Sequence, residues 1–110
     1  MHAFDVLGDP VRRRILELLA AGEQSSGDVV EVISAEFGIG QPAVSMQLKV
    51  LRESGLATVR ADGRRRLYAI DSAPLTQVDA WLAPFRRFWD QRLDALETEL
   101  RRGRDQPGEW

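Results

Sequence analysis

The sequence predicts a small domain that is mainly α with one β-hairpin, in the order ααααββα. Three observations carry that prediction. Apolar residues recur at helical spacing between Ala3 and Leu51. Next, an Asp62-Gly63 dipeptide separates two strand-like runs. Finally, a long helical pattern follows Pro74.

Ala3, Phe4, Val6 and Leu7 make a short first helix that Gly8 ends. Asp9-Pro10 opens the second. Asp is a good N-cap, and Pro suits the first helical position because the N–H it lacks has no partner there. Val11, Ile15, Leu18 and Leu19 give this helix its apolar face, and Gly22 stops it. Ser25 or Ser26 caps a third helix that carries Val29, Val30, Val32, Ile33 and Phe37 and ends at Gly38. The fourth runs from about Gln41 to Ser54, with Gly40 at the cap, a stripe of Val44, Leu48 and Leu51, and Gly55 as its stop. Only Gly38–Gly40 separate the third and fourth helices, the short glycine-containing turn of a helix-turn-helix. Beyond Gly55 the period becomes strand-like. Leu56–Ala61 and Arg64–Ile70 flank Asp62-Gly63, a strong two-residue hairpin signal, and Asp71–Pro74 forms the exit turn. Helices followed by such a two-stranded wing describe a winged helix-turn-helix.

From Pro74 to about Arg102 the apolar residues are Leu75, Val78, Trp81, Leu82, Phe85, Phe88, Trp89, Leu93, Leu96 and Leu100. At 1.5 Å per residue this helix spans roughly 43 Å, too long for so small a domain to cover. Pro84 lies inside the pattern and is expected to kink or split the helix near Ala83. Residues 1–102 therefore read as one domain, and residues 103–110 as a disordered tail.

Composition narrows the function. A chain of 110 residues has room for one core. Its 44% hydrophobic and 29% charged content is ordinary for a soluble globular protein. No apolar run approaches the roughly 18–20 residues of a membrane span, Met1–Phe4 shows no secretory signal, and no membrane partner is expected. Without cysteine there is no disulfide, thiolate metal site or thiol switch. A bacterial-type cytoplasm is the expected compartment. The net charge of −2 argues weakly against a polyanionic partner, but the charge is unevenly distributed. Residues 41–70 hold Lys49, Arg52, Arg60, Arg64, Arg65 and Arg66 against Glu53 and Asp62, a local excess of +4. Phosphate binding needs local positive potential rather than a basic whole chain.

At 100° per residue, Val44, Leu48, Leu51 and Gly55 share the inner side of the fourth helix. Pro42, Ala43, Met46, Lys49 and Glu53 lie roughly opposite, with Ser45 and Gln47 on the flanks. Groove-reading helices touch base edges mainly through their N-terminal residues, here Gln41, Pro42, Ser45 and Met46, together with Gln47. Gln pairs with adenine edges, Ser with several bases, and Met46 or Pro42 suits a thymine methyl. Lys49 and Arg52 sit further along, better placed for phosphates. Arg64, Arg65 and Arg66 follow the hairpin turn and suit phosphates or a narrow minor groove, while Tyr68 and Ile70 are expected to pack inward. The expected partner is double-stranded DNA.

Gln41–Leu56, then Gly63-Arg64-Arg65-Arg66-Leu67-Tyr68, resemble the ArsR/SmtB family of dimeric bacterial repressors. Leu7–Leu16 resemble the start of the same family. Trp81–Trp89 and Arg92–Leu96 are similar to its metal-independent, SdpR-like branch of autorepressors. The resemblance covers about residues 3–100. It implies a repressor that forms a homodimer. Two positions depart from the family pattern: Gly40 stands where Ser is usual, and Gln47 where His is frequent. Metal sensors of the family use Cys on the third helix or Asp, His and Glu on the last. Ser25–Phe37 hold no Cys or His, and Pro74–Arg102 no His, so metal sensing is not carried over. No metal and no cofactor are expected.

The other charged and aromatic groups have plainer readings. Arg12–Arg14 read as a solvated face, with one of them in reach of a flanking phosphate. Trp81, Phe85, Phe88 and Trp89 read as core or dimer contacts, and with Phe4, Leu7, Leu93 and Leu96 they make the expected interface between subunits. A hydrophobic effector pocket at Trp81–Trp89 is the alternative, and a winged helix that binds protein instead of DNA is a third. Ser45 has no His partner, and no nucleophile–base pair or phosphate loop emerges, so an enzyme is not expected.

Overall fold

The computed structural model describes residues 2–105, with side chains described through residue 103. The elements are α1 (Ala3–Leu7), α2 (Pro10–Ala20), β1 (Gln24–Ser25), α3 (Ser26–Phe37), α4 (Gln41–Glu53), β2 (Ala57–Asp62), β3 (Arg65–Ile70) and α5 (Leu75–Asp105). The chain divides into two units, residues 1–78 and 79–110.

Local chemistry sets the helix ends in the first unit. The Asp9 carboxylate accepts from the backbone N–H groups of Val11 (2.8 Å) and Arg12 (3.2 Å), with Pro10 in the first turn of α2. Of the two serines that could cap α3, Ser25 does so, accepting from the Asp28 N–H at 3.1 Å. Gly38 closes α3 in the left-handed region (φ 67°), where its missing Cβ removes the steric penalty. Gly40 caps α4 without a side-chain bond, as its lack of an acceptor requires. Ser54, expected as the last residue of α4, is its C-cap.

One core cluster joins these elements: Val6, Ile15, Leu16, Leu19, Val29, Ile33, Val44, Leu48, Leu51, Leu56, Ala57 and Tyr68. Tyr68 is buried as expected, and Ile70 packs against the cluster from a partly buried position. Val11, Leu18 and Val30 sit at the cluster's edge, while Leu16 takes the buried place on α2 that its sequence stripe did not give it.

The sheet corrects the expected order. It has three antiparallel strands in the order β1-β3-β2, so the sequence of elements is ααβααββα. β1 pairs Gln24 with Tyr68 and Ser25 with Leu67. Two residues are too short to show a period, so the strand arises only because β3 supplies an edge to pair with. β3 is thereby central, and adjacent Leu67 and Tyr68 are both buried, breaking simple alternation. The hairpin turn is shifted by one residue. Asp62 pairs with Arg65, leaving Gly63-Arg64 as the loop instead of Asp62-Gly63. Gly63 has φ 62° and Arg64 does not have positive φ, the signs of a II′ turn with Gly first.

In the second unit α5 is continuous as one helix through Pro84, so the expected split into two helices is not found. It also runs to Asp105 instead of about Arg102, so the tail expected from Gly103 onward begins as helix. The rest of that expected tail, residues 106–110, lies outside the described residues. Phe85, Phe88, Trp89, Leu93, Leu96 and Leu100 are all exposed on this helix. The rings of Trp81 and Phe85 are 4.7 Å apart, and Arg92 lies 5.5 Å over Phe88.

Candidate nucleic-acid interface

Burial of Val44, Leu48 and Leu51 fixes which side of α4 faces out. Gln41, Pro42, Ala43, Ser45, Met46, Lys49, Arg52 and Glu53 are exposed. Met46 is 57% exposed, a large apolar side chain left in solvent. Gln47 differs from its neighbours: it is partly buried, and its Oε1 accepts from Arg12 Nη1 at 3.1 Å.

The basic residues of the first unit fall into two groups. Most are already engaged. Arg14 is held by Glu36 (2.8 Å) and Glu17, and Arg60 by Glu23 through two bonds of 2.9 and 2.8 Å. Arg65 pairs with Asp62 across the hairpin at 3.0 Å, and Lys49 stands 3.9 Å from Glu53. Hydrogen bonds from Arg60 and Arg14 hold the Glu23 and Glu36 carboxyls below the usual carboxylate range. The second group is Arg52, Arg64 and Arg66, for which no carboxylate partner occurs among the described residues. All three lie on α4 or the wing. An unpaired guanidinium with a fixed donor fork is what a phosphate oxygen needs.

Two of the three meet in a cleft. It has a volume of about 260 Å³ and is lined by Ser26, Ser45, Leu48, Lys49, Arg52, Arg66 and Tyr68. The cleft gathers three cations and three hydroxyl-bearing residues between the start of α3, the outer flank of α4 and β3. Sequence reasoning missed Ser26 and Tyr68 there. The only signal for Ser26 was its place beside the capping Ser25. Tyr68 was read as an inward residue only, which its burial bears out, yet it also forms part of the cleft wall.

Of Arg12–Arg14, expected as a solvated face, Arg13 is exposed and Arg14 partly so, whereas the Arg12 side chain is only 14% exposed. Arg12 donates to the carbonyls of Val6 (Nε, 3.0 Å) and Asp5 (Nη2, 3.0 Å), and Arg13 donates to that of Leu7 (2.6 Å). These are the last carbonyls of α1, and those of Asp5 and Val6 also accept from the backbone N–H groups of Gly8 (3.2 Å) and Asp9 (3.4 Å). The expected interface residues divide. Phe4, Trp81, Phe85, Phe88, Trp89, Leu93 and Leu96 are exposed, whereas Leu7 packs against the core cluster. Among the described residues no group of three or more His, Cys, Asp or Glu could hold a metal, and no helix is long and apolar enough to cross a membrane.

A helix-turn-helix with a solvent-facing second helix and a basic hairpin beside it defines a DNA-binding regulator of the winged-helix class. Residues 9–59 match the family described as bacterial regulatory protein, arsR family. The chain is 36% identical over 101 residues to an HTH-type transcriptional regulator, Rv0081, of Mycobacterium tuberculosis, covering 91% of this chain and 85% of that protein. It is 29% identical to the transcriptional repressor SdpR of Bacillus subtilis over 84% of this chain and 98% of the other. It also resembles, with a TM-score of 0.57 and 25% identity, the homodimeric winged helix-turn-helix DNA-binding domain Mb0332 from Mycobacterium bovis, covering 76% of this chain and 73% of that one. This chain belongs to the arsR family of bacterial regulators, whose members bind DNA and are not enzymes.

Proposed function

We propose that this protein is a homodimeric, metal-independent repressor that binds an inverted-repeat operator, including one upstream of its own gene. Gln41, Pro42, Ser45 and Met46 read base edges from the first two turns of α4, with Gln47 contributing from its partly buried flank. Lys49 and Arg52 hold phosphates from the far end of α4, and Arg64, Arg65 and Arg66 hold them from the wing. The observation that carries this reading is the meeting of Arg52 and Arg66, without carboxylate partners among the described residues, in the cleft beside α4, with Arg64 on the same hairpin. The repressor SdpR and the homodimeric Mycobacterium bovis domain support it as relatives.

The dimer buries Phe4, Leu7, Trp81, Phe85, Phe88, Trp89, Leu93 and Leu96. A helix this apolar, left in water, would make a patch larger than soluble monomers tolerate. Two-fold symmetry presents the two α4 helices to major-groove faces about 34–36 Å apart. Occupying a promoter in this way excludes polymerase, and a cytoplasmic location follows from such a role.

A mobility-shift titration with the gene's own upstream region tests the reading. The expected result is a discrete complex that survives unlabelled nonspecific DNA. Absence of any complex in low salt would leave the protein-binding module as the better reading. The exposed, closely spaced Trp81 and Phe85 rings favour one second reading, a small-molecule sensor. Under that reading, a metabolite would quench tryptophan fluorescence and release the DNA together.

A further inference from the structure

We infer that Arg12 sets what Gln47 can read, by taking its side-chain oxygen and leaving only its amino group to face a base. This rests on the DNA-reading proposal above. A guanidinium has donors and no acceptor, so the contact at 3.1 Å fixes the Gln47 amide with Oε1 turned toward Arg12. Arg12 is not free to follow Gln47 elsewhere. Its Nε and Nη2 are committed to the Val6 and Asp5 carbonyls, both at 3.0 Å. Its own backbone N–H is held by Asp9, whose carboxylate also stands 3.8 Å from the guanidinium. The side chain is only 14% exposed, and withdrawing it would break its bonds to two helix-end carbonyls.

The chemistry follows from what remains. Gln reads adenine with two parallel bonds, accepting from the N6 amino group and donating to N7. That requires oxygen and amino group to turn together toward one base. The oxygen keeps a second lone pair, but with Oε1 turned toward Arg12 the amino group is the end left to face the groove, and its partners are acceptors: guanine O6 or N7, or thymine O4. Arg12 is therefore a positioning residue for specificity. It touches no base, yet it converts a glutamine from an adenine reader into a donor.

The test is selection from a pool of short randomised duplexes by the full-length protein, followed by sequencing. The wild type is expected to retain guanine or thymine at one symmetric pair of half-site positions. Arg12→Met, which frees the oxygen, shifts preference there toward adenine by about tenfold, and Arg12→Met/Gln47→Ala matches Gln47→Ala alone. Gln47→Glu keeps the Arg12 contact as an ion pair but replaces the donor with an acceptor, so preference moves to cytosine. This second variant keeps the inference falsifiable if Arg12→Met folds poorly. A change in melting temperature for Arg12→Met with base preference unaltered would overturn it, as would unchanged preference in Gln47→Glu. A wild-type protein that retains no duplex at all would overturn the DNA-reading proposal, and this inference with it.

Discussion

On α4, Val44, Leu48 and Leu51 recur at helical spacing, and all three are buried where α4 packs on α2, α3 and β2. On α5, Phe85, Trp89, Leu93 and Leu96 recur at the same spacing, and each is 42–62% exposed. The two helices carry the same periodic signal with opposite outcomes. Spacing names the face of a helix that seeks cover, but it does not name the partner. For α4 that partner lies within the same chain. For α5 we propose that it is a second copy. Function divides the same way, with the outward side of α4 for DNA and the stripe of α5 for assembly.

The contrast can be broken most forcefully on α5. Burying a Phe and a Leu contributes about 3–6 kcal/mol together, so Phe85→Glu/Leu93→Glu should weaken association at least a hundredfold. Sedimentation velocity should then show a monomer whose first unit keeps its helical circular dichroism. A variant that remains dimeric would place the interface elsewhere. Leu51→Ala tests the other side of the comparison. It opens a cavity in the core cluster and should lower unfolding stability by about 2–5 kcal/mol in urea titrations. Leu93→Ala, measured at a concentration that keeps the chain monomeric, should cost about 0.5 kcal/mol or less.

Smaller effects sharpen the account of the first unit. Asp9→Ala removes the acceptor for two N–H groups at the start of α2 and should cost about 1 kcal/mol in the same titrations. The pairs Arg14–Glu36 and Arg60–Glu23 give the smallest effect. Both carboxyls titrate lower in the folded chain than in the unfolded one, because an Arg donates to each. Their contribution is therefore complete above the ordinary carboxylate range and is lost as the pH falls through the folded values. Melting temperatures taken from about pH 7 down to pH 3 should decline only in the acid limb. Glu23→Gln should remove a small share of that decline, since exposed pairs are worth little.

Much of the fold was legible because its determinants are local. Asp9-Pro10 and Gly38 are caps and stops that act within one turn, and the observed helices begin and end at them. The stripe of α4 was legible because three positions at fixed spacing suffice to define a face. What could not be read depends on residues far apart in the chain. β1 exists through pairing with β3 more than forty residues on. The hairpin loop moved by one residue because the Asp62–Arg65 pairing sets the register, which the dipeptide alone does not. Arg12 looked like a solvated cation because its partner Gln47 lies 35 residues away. The division between engaged and free arginines on the wing has the same origin. Arg60 and Arg66 are alike in sequence, and only the fold brings Glu23 to one of them.

The central claim is that α4 and the wing meet the phosphates of DNA through cations left without carboxylate partners. Its most direct test is the salt dependence of affinity for a duplex, measured for the wild type and for Arg52→Ala/Arg64→Ala/Arg66→Ala. Each phosphate contact contributes about 0.9 to the slope of log affinity against log salt. The account predicts a slope shallower by roughly 5.4 in the triple variant, three contacts from each of two subunits, with an unchanged melting temperature. A well-folded variant with the wild-type slope would contradict it.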